Sequence, residues 1–232
     1  LNPIIGKALK EGRTVLLEPE AKELCSQYGI PVPKSRLTKS LSEAIKAAQE
    51  IGFPVVVKIV SEDIAHKSDA GCVVVGVGDE RELEVAYERV VSNALKFNPR
   101  ATIRGVLVEE MVSKGVEVAV GGLRDPEFGP AVMFGLGGVF IEVLRDVSFR
   151  VAPVSEEEAE EMIREIRGFK VLQGYRGSEA VDLKALVKII VGASKMMVEN
   201  EEIGQLDLNP IIASKHEAKA VDARVILSPP KN

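Results

Sequence analysis

The sequence predicts a mixed α/β (α+β) fold, and three observations predict it. Apolar residues recur at helical spacing in several capped segments, short β-branched runs lie between them, and successive strand-like runs from Val106 to Gly135 are joined only by short turns. Turns that short cannot carry a crossover, so at least one sheet pairs its strands antiparallel rather than by a uniform βαβ repeat. With 232 residues, 46% hydrophobic and 28% charged, the chain can bury a core as one domain or as two small subdomains.

Glu18-Pro19-Glu20 opens the first helical pattern, which ends before Gly29, and Ile30-Pro31-Val32-Pro33 then forces an extended connector because each proline restricts the residue before it. Ser40 and Glu43 have capping-box spacing, Leu41, Ile45 and Ala48 recur at helical period, and Gly52 stops that helix. Pro54 launches Val55-Val56-Val57-Lys58-Ile59-Val60, a β-branched run of the kind buried on both faces, with one lysine inside it. Further strands are expected at Cys72 to Val75, Val106 to Val112, Val116 to Leu123, Ala131 to Gly135, Leu206 to Ile212 and Ala218 to Val225. Helices are expected at Asp79 to Asn98 with an Asp79/Glu82 cap, at Ser155 to Arg167 with Ser155/Glu158, and at Asp182 to Glu202 with an apolar stripe through Leu186, Ile190 and Met197.

A net charge of −5 with no Lys/Arg-rich block argues against a nucleic-acid surface. Cys25 and Cys72 lie in no ligand-spaced cluster, which points away from zinc or a disulfide scaffold and toward a reducing cytoplasm. No apolar run approaches the roughly 20 residues of a membrane helix, and the amino terminus lacks a basic region followed by an apolar one, so neither a span nor a leader is expected.

Lys58 is the anomaly of its strand, because an ammonium there must either reach solvent or meet an anion such as a phosphate. The segment Ser61 to Gly71 that follows is dense in titratable groups and contains His66, one of two histidines; a neutral imidazole is a competent nucleophile toward phosphorus, whereas a bystander histidine would simply face solvent. The other, His216, sits in a polar turn and reads as exposed and inert. Glu109 and Glu117, on strands expected to be adjacent, could both accept hydrogen bonds from a nucleoside or could merely be solvated. Phe134 to Phe140 is a glycine-rich stretch suited either to an anion or to a tight turn, with Arg145, Asp146 and Arg150 close behind. Strand alternation puts Asp207 and Asn209 on one face, Pro210 suits a strand end or edge, and across a hairpin Asp222 would face Asn209; two oxygen ligands plus phosphates and waters is how magnesium is usually held.

Taken in order, these segments resemble the ATP-grasp superfamily and, within it, the β subunits of ADP-forming acetyl-CoA (acyl-CoA) synthetases, relatives of succinyl-CoA synthetase. The pieces that carry the resemblance are Leu17 to Ala21, Gly29 to Pro33, Pro54 to Lys58, Ser61 to Gly71, Gly121 to Pro130, Gly135 to Pro153 and Asp207 to Pro210. Cys72 stands where the family usually has a second glycine, and Gln205 where glutamate is frequent.

The resemblance implies an ATP-grasp fold with a nucleotide cleft between a smaller lobe, about 33–104, holding Lys58 and His66, and a larger lobe, 1–32 plus 105–232, holding the metal site. Lys58 would hold nucleotide phosphates, Glu109 and Glu117 would line the adenosine, and the backbone of Glu110, Met111 and Val112 would recognise adenine. Asn209 and Asp222 would bind Mg2+, His66 would carry a phosphoryl group to or from ADP and ATP, and Asp207 would orient the phosphorylated ring. The family's CoA-binding part has no counterpart in the sequence, so the resemblance implies a CoA-binding α subunit in an α2β2 heterotetramer. Two alternatives use similar residues: an ATP-grasp carboxylate ligase without phosphohistidine, and a nucleotide-binding regulatory module of an acetyltransferase.

Overall fold

The computed structural model describes residues 1–64, 66–138, 145–175 and 179–228. In chain order the elements are α1 (Pro3–Lys10), α2 (Glu18–Gln27), β1 (Ser35–Thr38), α3 (Leu41–Ile51), β2 (Val55–Val60), β3 (Val73–Val77), α4 (Glu80–Phe97) and β4 (Gly105–Glu110). There follow β5 (Val116–Asp125), β6 (Gly129–Leu136), β7 (Val147–Val151), α5 (Glu156–Glu165), α6 (Phe169–Leu172), α7 (Leu183–Glu199), β8 (Ile203–Ala213), β9 (Ala218–Ala220) and β10 (Arg224–Leu227). They form two units, residues 33–111 and residues 1–32 with 112–232.

The smaller unit is an antiparallel sheet in the order β1-β4-β2-β3. Along β2, Val55, Val57 and Ile59 alternate onto one face and pack with Ala44, Ala47 and Ala48 of α3 and with Leu83, Ala86 and Val90 of α4. Alanines along α3 let that helix lie close to the sheet. Each valine removed from water there contributes about 1.5–3 kcal/mol, which is what holds Lys58, on the opposite face of the same strand, in a fixed place. Ser40 and Asp79 cap α3 and α4 by accepting the N–H groups of Glu43 and Glu82.

The larger unit is a sheet in the order β10-β8-β5-β6-β7, with β9 pairing β8. Val118, Val120, Val132, Phe134, Leu206 and Leu208 point into a core shared with α5 and α7. Arg124 of β5 donates to the carbonyls of Met197, Asn200 and Ile203, satisfying the C-terminal end of α7.

Several expectations are corrected. β4 and β5 are consecutive but do not pair, since β4 lies between β1 and β2 while β5 lies between β6 and β8; the unit boundary therefore follows β4 at residue 111, not 104. Pro210 is not at a strand end: it lies inside β8 beside a register shift against β5, where Val118 pairs Ile211 and Val120 pairs Leu208, and the irregularity tolerates a residue with no N–H to give. The run Ala218 to Val225 is two strands, β9 and β10, interrupted at 221–223. The strands β1 and β7 and the helices α1 and α6 were not expected.

Candidate functional site

In the smaller unit Lys58 is 7% exposed, so its ammonium does not snorkel, and its Nζ lies 3.0 Å from Oε1 of Glu109, which is 1% exposed. The anion demanded by a buried lysine is thus supplied in part by the protein itself, from the neighbouring strand β4 of the same sheet. Glu110 accepts the Lys34 N–H at 3.1 Å and returns its own N–H to the Lys34 carbonyl at 2.8 Å, so this part of the 110–112 backbone is pinned.

The segment from Ser61 to Gly71 joins β2 to β3 and is fastened at both ends. On the entry side Ser61 accepts the Asp63 N–H, the Asp63 carboxylate accepts the Thr102 N–H at 2.7 Å, and Ile64 is buried. On the exit side the Lys67 carbonyl accepts the Cys72 N–H at 2.8 Å and the Asn93 amide donates to the Gly71 carbonyl at 2.7 Å. Gly71 has φ +65°, and a Cβ there would stand 2.8 Å from the Asn93 amide nitrogen, so any other residue would be strained and would displace the Asn93 side chain. Cys72 is buried in the core of the unit, and burial pushes its thiol pKa up. His66, between these anchors, is exposed, and its carbonyl accepts the Ala70 N–H.

In the larger unit, antiparallel register brings Arg224 opposite Asp207 and Asp207 opposite Gly121. The Val221 N–H donates to the Pro210 carbonyl at 3.1 Å. Asp222 therefore lies between a residue tied to Pro210 and one paired with Asp207, which places it across from the stretch that carries Asn209. Asp207 is exposed as a residue, but partial desolvation raises its carboxyl pKa, the negative charge of Asp222 adds to that, and Arg224 opposes both. Two carboxylates that repel one another, with Asn209 two positions along β8 from Asp207, are hard oxygen donors whose charge a divalent cation would offset, and such donors suit Mg2+. Among the described residues no group of three or more His, Cys, Asp or Glu side chains could hold a metal, so an ion here would depend on nucleotide oxygens and water as well.

Three readings change. Glu109 and Glu117 are not on adjacent strands, since β4 and β5 belong to different sheets, and Glu117 is exposed. In the glycine-rich stretch Gly135 is still in β6, and the Gly137 N–H donates to the Glu117 carbonyl at 2.8 Å while a Cβ on Gly137 would stand 3.1 Å from that same carbonyl carbon, so Gly137 serves strand contact rather than an anion. Residues 139–144 lie outside the described residues. Asp146 accepts the N–H groups of Arg167 and Gly168, and Arg150 pairs with Glu165, so both have structural partners. His216 is exposed in the Ser214–Glu217 turn.

Sequence reasoning missed Glu18 and Lys22. They form an ion pair at 2.8 Å with both side chains 2% exposed, and the Lys22 ammonium also donates to the Val221 carbonyl at 2.9 Å. At i,i+4 on a helix such a pair looks like surface decoration; only its lying on the stripe beside Ala21 and Cys25 hinted otherwise.

A family model described as an ATP-grasp domain matches residues 7–227. The β subunit of acetate–CoA ligase [ADP-forming] I from Pyrococcus furiosus is 50% identical over 224 residues, spanning 97% of this chain and 96% of that one. The chain belongs to the ATP-grasp β subunits of ADP-forming acetyl-CoA synthetases. Among solved structures, this β subunit superposes with a TM-score of 0.96 on acetyl-coenzyme A synthetase 1 of Ca. Korarchaeum cryptofilum in complex with coenzyme A and Ca-AMPCP, at 52% identity and with 97% of this chain and 98% of that one covered. A complex of the same enzyme with coenzyme A and Mg-AMPPCP, its phosphohistidine segment pointing towards the nucleotide binding site, matches at a TM-score of 0.86 and 50% identity over 97% of this chain and 98% of that one. The two antiparallel sheets with helices packed on them are thus the ATP-grasp fold in this β subunit. No helix among its described residues is long and apolar enough to cross a membrane.

Proposed function

We propose that the chain converts acyl-CoA, ADP and phosphate to carboxylic acid, CoA and ATP, and the reverse, together with a CoA-binding α subunit in a cytoplasmic α2β2 assembly, with His66 as phosphoryl carrier. The observation that carries this reading is the exposed imidazole of His66 on a segment whose two ends are fastened by hydrogen bonds. A tethered group of this kind can exchange phosphorus between two sites too far apart for direct transfer. The phosphohistidine segment named in the Korarchaeum complex supports the same assignment.

Toward ATP, a lone pair on an imidazole nitrogen of His66 attacks phosphorus supplied from the α subunit, and the N–P bond forms as the bond to the donor breaks. A terminal oxygen of ADP then attacks the same phosphorus; the N–P bond breaks and its electron pair returns to the ring. Asp207 accepts the other imidazole N–H, which fixes the tautomer and steadies the phosphorylated ring. Lys58 holds nucleotide phosphates, and Glu109, 3.0 Å from its ammonium, keeps the side chain in place. Glu109 and Glu117 line the adenosine. The adenine is read by the 110–112 backbone, and because the Glu110 N–H is taken by Lys34, the donor in that contact is Met111 or Val112. Asn209 and Asp222 hold Mg2+, which when bound neutralises charge on the phosphates.

Labelled ATP and magnesium added to the chain with its partner subunit test this reading. Acid-labile, base-stable phosphate is expected on the peptide containing His66; its absence in a preparation that still makes acyl-CoA would leave a carboxylate ligase without a phosphohistidine, and binding without turnover would leave a regulatory module.

A further inference from the structure

Neither the fold nor the proposed chemistry accounts for a lysine buried with a glutamate in the second helix. Replacing a buried ion pair by apolar residues of similar size is often neutral or stabilising, so Glu18 and Lys22 are poorly explained as a device for stability. What apolar residues could not do is donate a hydrogen bond to a chosen carbonyl. Lys22 does so to Val221 at 2.9 Å, 199 residues away in sequence.

That carbonyl belongs to the peptide group whose nitrogen is that of Asp222. The preceding peptide is held as well, because the Val221 N–H donates to Pro210 at 3.1 Å, and the Ala220 N–H donates to Pro31 at 2.9 Å. Beyond it, the Asp222 carboxylate accepts the Ala223 N–H at 2.9 Å. The 220–223 segment, which is neither β9 nor β10 at residues 221–223, is thus held by β8 through Pro210 and, from outside that hairpin, by Pro31 and Lys22. Lys22 donates to the carbonyl of the peptide that enters Asp222, and Glu18, at 2.8 Å, holds the ammonium in place.

We propose that Lys22, oriented by Glu18, is a positioning residue for the metal-binding carboxylate of Asp222. The inference rests on the reading of Asn209 and Asp222 as Mg2+ ligands. Outer partners of metal ligands act in this way, and their loss lowers metal affinity about 10–100-fold.

The test is Mn2+ binding to the full chain with ADP, followed by electron paramagnetic resonance, together with ADP binding in the absence of metal. In the double variant Glu18→Gln/Lys22→Met, which leaves no charge buried alone, cooperative melting and metal-free ADP affinity persist while the Mn2+ dissociation constant rises about tenfold. Lys22→Arg, which retains charge and donor, restores most of the affinity; a merely structural lesion would lower both affinities together. If the double variant does not melt cooperatively, Glu18→Leu/Lys22→Met replaces it. Wild-type Mn2+ affinity in the double variant, with Asp222→Ala impaired, overturns the positioning role and leaves the metal site standing. Wild-type affinity in Asp222→Ala removes the metal site, and the inference with it.

Discussion

The ammonium of Lys58 lies 3.0 Å from the carboxylate of Glu109, and both groups are buried in the smaller sheet. A pair of this kind is more damaging to break than to replace. Glu109→Ala leaves a charge in the interior and is expected to destabilise the fold by about 3–5 kcal/mol, whereas Lys58→Met/Glu109→Leu is expected to recover most of that. ADP affinity separates structure from function, because the double variant should melt near the wild type yet bind ADP at least tenfold more weakly. Denaturant melts and ADP titration check both; unimpaired ADP binding in the double variant would remove Lys58 from the phosphate site.

A second ion-pair network predicts a pH dependence. Arg13 donates two hydrogen bonds to Glu20, at 2.7 and 2.9 Å, and Glu20 also accepts the Leu17 N–H at 3.0 Å. Burial alone would push the Glu20 carboxyl up, but the bonds from Arg13 and Leu17 and the charges of Arg13 and Lys7 outweigh it, so the net shift is downward. A carboxyl lowered in the folded state adds stability that is fully present above the ordinary glutamate pKa, about 4.3, and is lost as pH falls through the lower folded value. Glu20→Gln is therefore expected to cost about 1–3 kcal/mol at pH 7, and the difference from wild type should shrink toward zero in strong acid. Melts run across the pH range check the sign.

Asp222 raises the Asp207 carboxyl through its charge, second to desolvation. Removing that charge should therefore lower the Asp207 pKa. Asp222→Asn is thus expected to shift the Asp207 carboxyl carbon titration to lower pH, and Asp222→Ala to raise the magnesium concentration needed with ADP about tenfold or more. An unchanged magnesium requirement would take Asp222 out of the metal site.

What could be read from the chain alone was what is local. The caps at Ser40, Asp79 and Ser155 form as spaced, because a cap involves only the first turn of its own helix. The pairing of β4 with β1 and β2 instead of β5 was not legible, since strand partners are chosen by residues far apart in sequence. Ser35 to Thr38 has no apolar alternation to mark it as the edge strand β1. The break at residues 221–223 carries no glycine or proline, and depends on Pro31 and Lys22, which lie about two hundred positions away. Lys58 illustrates both halves: its need for an anion was plain from the strand, but the identity of Glu109 as a partner required the sheet.

The anchoring of the His66 segment gives the last prediction. Gly71 adopts φ +65°, in the left-handed region that costs a residue with a Cβ about 1–2 kcal/mol, and its carbonyl accepts from Asn93. Gly71→Ala would bring a Cβ to 2.8 Å from the Asn93 amide nitrogen, so the side chain must turn away and release that bond. Asn93→Ala loses the bond but not the backbone conformation. If the fastened ends are what let His66 act as a carrier, both variants should slow phosphorylation of His66 while ADP affinity stays within about twofold, with Gly71→Ala the more severe. Phosphohistidine formation timed by quench-flow against ADP titration decides it; equal losses in both measurements would mean that the anchor supports the whole unit and not the carrier segment.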